Sequence, residues 1–170
     1  MKTFKSKFCS DGIMIPSKVT DGIFNAVATT KSGSHHSQKI KHNPLSLLQA
    51  AAQVAKKAHA PYSKFNVGSA LLLNDGSILT GCNVENASYG LTICAERNAI
   101  FAAVAQGHKK FKAIAIVASG TAIPYPCGAC RQVLAEFGKS NMPVFIASIK
   151  NLKHFEKTTL GKLLPKSFSL

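Results

Sequence analysis

Cys94-Ala95-Glu96 and Pro126-Cys127-Gly128-Ala129-Cys130 lie about one helix plus one strand apart, and together they supply three thiols and a carboxylate. Three thiolates can hold zinc and leave its fourth position to an exchangeable water, which is the arrangement of a catalytic centre; a structural zinc is closed by four protein ligands. A carboxylate two residues after the first thiolate can stand beside the metal without ligating it. There it can take a proton from water and hand it on. The residue types therefore point to metal-assisted hydrolysis, with Cys94, Cys127 and Cys130 as ligands of one zinc per chain and Glu96 as the proton carrier.

Cys-x-x-Cys alone is also a redox pair or half of a zinc ribbon, and Cys82 is available to close a four-cysteine structural site. A ribbon needs a second Cys-x-x-Cys pair, and neither Cys82 nor Cys94 has a cysteine three residues away. Cys82 ends an apolar run and reads as a small packed thiol. Three cysteines accompanied by a glutamate that is not a ligand is, by contrast, one pattern of the zinc deaminases that act on nucleobases.

Placing these residues requires a stable scaffold. A chain of 170 residues makes one domain able to bury about 70% of its unfolded surface, with no need of disulfides. Five cysteines, three of them assigned to metal, suit a reducing compartment. No apolar stretch approaches the roughly 18 residues of a membrane-spanning helix. Asp11 and Pro16 interrupt the apolar run that a secretory signal requires, so the expectation is a cytoplasmic protein. The net charge of +14 is concentrated at the ends: seven lysines against two aspartates in residues 1–44, and six lysines against Glu156 alone in residues 139–170. Such a balance attracts anionic polymers weakly and without specificity. No basic-aromatic motif accompanies it, so nucleic acid is not expected as a partner beyond that.

Residues 1–43 lack periodicity and include Ser32-Gly33-Ser34-His35-His36-Ser37, which reads as a flexible basic extension. The domain is expected over residues 44–170. Asn43 and Pro44 mark a helix start, with Leu45, Leu48, Ala52 and Ala55 at helical spacing. Val67–Leu73 and Ile78–Asn83 flank Asn74-Asp75-Gly76-Ser77 and predict a β-hairpin. A helix is expected over 94–106, stopped by Gly107, then a strand over 113–118, a helix over 127–137 after Pro124 and Pro126, and a strand over 144–149. Both cysteine groups thus fall at helix N-termini, where unpaired amides and the helix dipole favour thiolates. Strands alternating with helices give a three-layer α/β sandwich.

The segments Tyr62-Ser63-Lys64-Phe65, Gly81-Cys82-Asn83-Val84-Glu85-Asn86-Ala87-Ser88-Tyr89-Gly90, Cys94-Ala95-Glu96-Arg97, Pro126-Cys127-Gly128-Ala129-Cys130-Arg131-Gln132 and Leu163-Leu164-Pro165-Lys166-Ser167-Phe168 closely resemble the small zinc-dependent cytidine deaminases of pyrimidine salvage. The resemblance covers residues 44–170. It implies a five-stranded mixed sheet flanked by helices, a homotetramer whose active sites borrow residues from neighbouring subunits, and hydrolysis of cytidine and deoxycytidine to uridine and deoxyuridine with release of ammonia.

The resemblance also implies roles for particular residues. Asn83 and Glu85 would hold the sugar hydroxyls, and their spacing of two on an extended segment puts both on one face. Phe65 would pack on the pyrimidine, although a phenylalanine before a strand is commonly core. The Ala95 amide would bind the 2-carbonyl, and the Tyr125 carbonyl the amino group. Ala87, Tyr89 and Phe168 are carried over as further substrate contacts, with Tyr89 and Phe168 reaching a neighbour's site; a terminal phenylalanine also fits a mobile end. Arg97 would bond the cysteine sulfurs and offset their charge, with Arg131 adding to it. Tyr125 departs from the family pattern, which places a small polar residue there. A polynucleotide deaminase or a deaminase of cytosine nucleoside antibiotics would share the zinc motifs, but Asn83-Val84-Glu85-Asn86 suits the sugar of a free nucleoside. A zinc module without catalysis would not need Glu96.

Overall fold

The structure, a computed structural model, describes residues 43–168. Of the extension expected over residues 1–43, residues 1–42 lie outside the described residues.

Helix α1 (Pro44–Ala55) starts as its sequence dictates: the Asn43 side chain accepts from the Ser46 amide at 2.7 Å, and Pro44 takes the first helical position. Strands β1 (Val67–Leu73) and β2 (Ile78–Cys82) form an antiparallel hairpin. Its turn needs Gly76, whose φ is +94°, and Asp75, whose Oδ1 accepts from the Ser77 amide at 2.9 Å. A single 3-10 turn (Tyr89–Leu91) leads into α2 (Ala95–Ala105). Gly107 follows at φ +86°, the left-handed conformation that ends the helix. Then come β3 (Phe111–Ala118), α3 (Gly128–Phe137), β4 (Pro143–Ser148), β5 (Glu156–Thr159) and the short α4 (Leu160–Leu163).

The five strands form one sheet in the order β2-β1-β3-β4-β5. Only β3 and β4 run parallel, which makes the sheet mixed. Alternation along β3 divides the core into two layers. Ala113, Ala115 and Val117 face α1, with Leu47, Leu48 and Ala51. Ile114 and Ile116 face the other side, with Ile100 of α2 and Leu134 of α3. The architecture is the expected three-layer sandwich.

Close backbone approach fixes where α1 and α2 sit. A Cβ on Gly68 would lie 2.0 Å from the Ala51 carbonyl oxygen, and one on Gly81 would lie 2.4 Å from the Ala99 nitrogen. Any side chain at Gly81 would push α2 off β2 and carry Cys94 and Glu96 with it. Asn98 adds a tie, its Nδ2 donating to the Cys82 carbonyl at 2.8 Å. No helix among the described residues is long and apolar enough to cross a membrane.

Candidate active site

Cys94 is the N-cap of α2 and Cys127 the N-cap of α3; both have extended backbones, and neither side chain caps its own helix. Their sulfurs are free to face each other beside the unpaired amides of both first turns. Cys130, one turn into α3, is fully buried. The three Sγ atoms lie within 4.8 Å of one another, with Cys94 to Cys127 at 3.9 Å and Cys127 to Cys130 at 3.5 Å. Sulfurs bound tetrahedrally to zinc at about 2.3 Å stand about 3.8 Å apart, so the donor set fits zinc in both kind and spacing. Cys82 ends β2 outside this cluster as a free thiol.

The electrostatics of the cluster follow from the same packing. The Cys94 thiol is lowered to about 5, first by a hydrogen bond from Cys130 and further by Arg97 and Cys127, against a burial penalty. Cys130 moves upward, because its proton is held between its own sulfur and the Cys94 thiolate and because it is buried. Neighbouring thiols this close do not both ionise cheaply without a cation, so Cys94, Cys127 and Cys130 would hold zinc as thiolates, with the metal supplying the positive charge that offsets theirs. Arg97 donates through Nη2 to Cys94 Sγ at 3.7 Å and to the Thr92 carbonyl at 3.3 Å. Its buried Nε has no hydrogen-bond partner among the described residues.

Glu96 follows at the second position of α2 and is only 4% exposed. Burial, with the Cys94 thiolate adding repulsion, raises its carboxyl from 4.5 to about 7. A carboxyl so placed accepts and returns a proton near neutral pH with little cost in either direction.

A cavity of about 200 Å³ joins these groups. Cys94, Ala95, Glu96 and Cys127 line it together with Phe65, Asn83 and Tyr125. Val67, Thr92, Ile116 and Pro124 complete the lining. Val67 and Ile116 read in sequence as ordinary strand residues, and Thr92 carried no signal except its place two residues before Cys94.

Asn83 and Glu85 have structural work that their spacing did not reveal. Asn83 accepts from the Val67 amide at 2.8 Å and donates to the Phe65 carbonyl at 2.9 Å. Glu85 accepts from the amides of Tyr62 at 3.0 Å and Ser63 at 3.3 Å, and from the Ser63 hydroxyl. Both therefore grip residues 62–67, where Lys64 adopts φ +57°, a strained value for a lysine. Phe65 reaches the cavity wall because this turn is held. Glu85 itself is not among the lining residues.

Ala87, Tyr89 and Phe168 lie away from the cavity of their own chain. Tyr89 is 58% exposed with its ring 6.1 Å from that of Tyr62, and Phe168, 70% exposed, accepts from Gln132 through its carbonyl at 3.0 Å. Arg131 departs from the expectation that it would offset thiolate charge. Its Nε donates to the Pro126 carbonyl at 2.7 Å and its Nη1 to the Leu163 carbonyl at 3.0 Å. Carbonyls on both sides of α3 take up the guanidinium, which ties the segment before Cys127 to α4 and bonds no sulfur among the described residues.

Fold and donor set are together those of a zinc-binding α/β domain. A sequence model of the cytidine and deoxycytidylate deaminase zinc-binding region matches residues 41–146. The cytidine deaminase of Sporosarcina psychrophila is 50% identical over 123 residues, 72% of this chain and 89% of the relative. That of Halalkalibacterium halodurans is 45% identical over 123 residues, 72% of this chain and 92% of the relative. Among solved structures, the cytidine deaminase from Burkholderia pseudomallei superposes with a TM-score of 0.71 at 46% identity, covering 75% of this chain and all of that one (100%). The cytidine deaminase from Mycobacterium tuberculosis gives 0.64 at 42% identity, covering 74% and 96%. The chain belongs to the cytidine and deoxycytidylate deaminase family.

Proposed function

We propose that this protein hydrolyses cytidine and deoxycytidine to uridine and deoxyuridine, releasing ammonia. The observation that carries the reading is Glu96: a buried carboxyl raised to about 7 in the same cavity as two of three clustered thiols. Similarity to cytidine deaminases at 45–50% identity supports the substrate class.

Cys94, Cys127 and Cys130 hold the metal, which when bound supplies Lewis acidity that makes water nucleophilic at neutral pH. The chain's own groups do the rest. The Ala95 amide, in the first turn of α2 where amides lack intrahelical partners, donates to the 2-carbonyl of the base. Phe65 packs against the ring, Asn83 lies toward the sugar, and the Tyr125 carbonyl accepts from the amino group. The Glu96 carboxylate takes a proton from the attacking water and gives it to ring N3 as oxygen adds to C4. It then takes the remaining hydroxyl proton and delivers it to the departing nitrogen, so that ammonia leaves and the 4-carbonyl forms. The two protons of one water are thereby accounted for, one on N3 of the product and one on ammonia.

Tyr89 and Phe168 reach a neighbour's site in a homotetramer, Ala87 is a further substrate contact, and Glu85 is assigned with Asn83 to the sugar hydroxyls. The exposed Tyr62, Val84, Tyr89 and Leu91 supply apolar surface for such assembly, and a cavity of about 200 Å³ falls short of the roughly 300–1,000 Å³ usual for small-molecule sites. A cytoplasmic place in pyrimidine salvage completes the reading. Cytidine added to the purified zinc-loaded protein should lose its ultraviolet absorbance as uridine forms; unchanged absorbance with one zinc bound would overturn the assignment.

A further inference from the structure

Glu156 opens β5 and pairs across the sheet with Ile146, which pairs in turn with Ile116. Directly paired residues project to the same face of a sheet. Ile146 and Ile116 both belong to the core beneath α2 and α3, and Ile116 also lines the cavity. A half-buried carboxylate at the end of this apolar row calls for a partner. The partner is the Tyr125 phenol, which donates to Glu156 Oε2. The contact joins the cavity wall to an edge strand that lies beyond the stretch matched by the family.

The backbone around Tyr125 is already stiff. Pro124 and Pro126 flank it with fixed φ, and its amide donates to the Ile123 carbonyl at 3.1 Å. The freedom that remains lies in the ring, which is 48% exposed and would otherwise move among rotamers at the mouth. We infer that the Tyr125 ring is a specificity-determining wall of the pocket and that Glu156 is the positioning residue that holds it there. The inference rests on the deaminase reading above. Held in this way, the ring gives cytidine a preformed wall and narrows the pocket against pyrimidines bulkier than cytosine.

The experiment compares the zinc-loaded wild type with Glu156→Ala, Glu156→Gln, Tyr125→Phe, Tyr125→Ala and the Tyr125→Phe/Glu156→Ala double variant. Loss of one hydrogen bond of this kind predicts KM for cytidine up about fivefold in Glu156→Ala and Tyr125→Phe, with kcat changed by less than about twofold. The double variant should add nothing to either single change, since both remove the same contact. Glu156→Gln keeps an acceptor and should return KM to within about twofold of wild type. Tyr125→Ala should erode the preference for cytidine over 5-methylcytidine by about fivefold or more. Urea midpoints read the contact apart from turnover: Glu156→Ala and Tyr125→Phe should each lower the midpoint, and the double variant no further than either. Unchanged KM in Glu156→Ala, additive single effects, or a fall in kcat and zinc content without a change in KM would overturn the proposal. A wild type that turns over no cytidine would contradict the deaminase reading instead. The urea midpoints then decide the contact by themselves, and additive losses in the double variant would refute it.

Discussion

Arg97 Nη2 lies 3.7 Å from Cys94 Sγ, one helical turn away on α2, and also holds the Thr92 carbonyl just before that turn. One side chain thus joins a cavity-lining segment to a metal-binding sulfur. Cys94 owes its low thiol value first to the hydrogen bond from Cys130 and next to Arg97. Arg97→Ala should therefore raise the Cys94 value and loosen zinc by the roughly 10- to 100-fold typical of groups that support a ligand. Competition with a chelator across pH 6–9 measures this. Unaltered zinc affinity at every pH would show that the arginine only braces the loop.

Cys127→Ser should abolish both zinc binding and turnover, because it removes one of three donors that already leave a position open. Cys82→Ser should keep both, since Cys82 lies outside the cluster. Metal content by atomic absorption separates the two outcomes, and zinc loss from the Cys82 variant would contradict an open three-cysteine site.

Glu85 makes folding stability depend on pH. Its carboxyl is lowered from 4.5, first by the Ser63 hydroxyl and then by the Tyr62 and Ser63 amides, against the cost of burial. A group with a lowered folded value contributes fully above its ordinary value, and that contribution drains away as the pH falls through 4.5 toward the folded value. The stability difference between wild type and Glu85→Gln should accordingly be larger at pH 7 than at pH 3. Urea midpoints at the two pH values test this, and a difference independent of pH would deny Glu85 its charged role at the Lys64 turn.

Most of the scaffold was legible because its signals are local. Asn43-Pro44 marked the start of α1, Asp75-Gly76-Ser77 the hairpin and Gly107 the end of α2, and each acts within a few residues through capping or backbone sterics. The cysteine cluster was legible because metal ligation requires particular residue types. By contrast, β5 reads Glu-Lys-Thr-Thr, with neither apolar run nor alternation, and it is a strand because β4 offers it a free edge. Its fifth place in the sheet came only from the family resemblance. The contacts of Arg131, and those of Asn83 and Glu85 with residues 62–67, were hidden for a related reason. They depend on which backbone groups the fold leaves unpaired nearby, and no spacing in the sequence encodes that.

Glu96→Gln tests the account most directly, because it keeps the side chain's shape and removes the group that carries the proton. The variant should retain one zinc per chain and still bind nucleoside, while cytidine turnover, followed by ultraviolet absorbance, falls by about 10²- to 10⁴-fold. Near-normal turnover in a zinc-loaded Glu96→Gln protein would contradict the account.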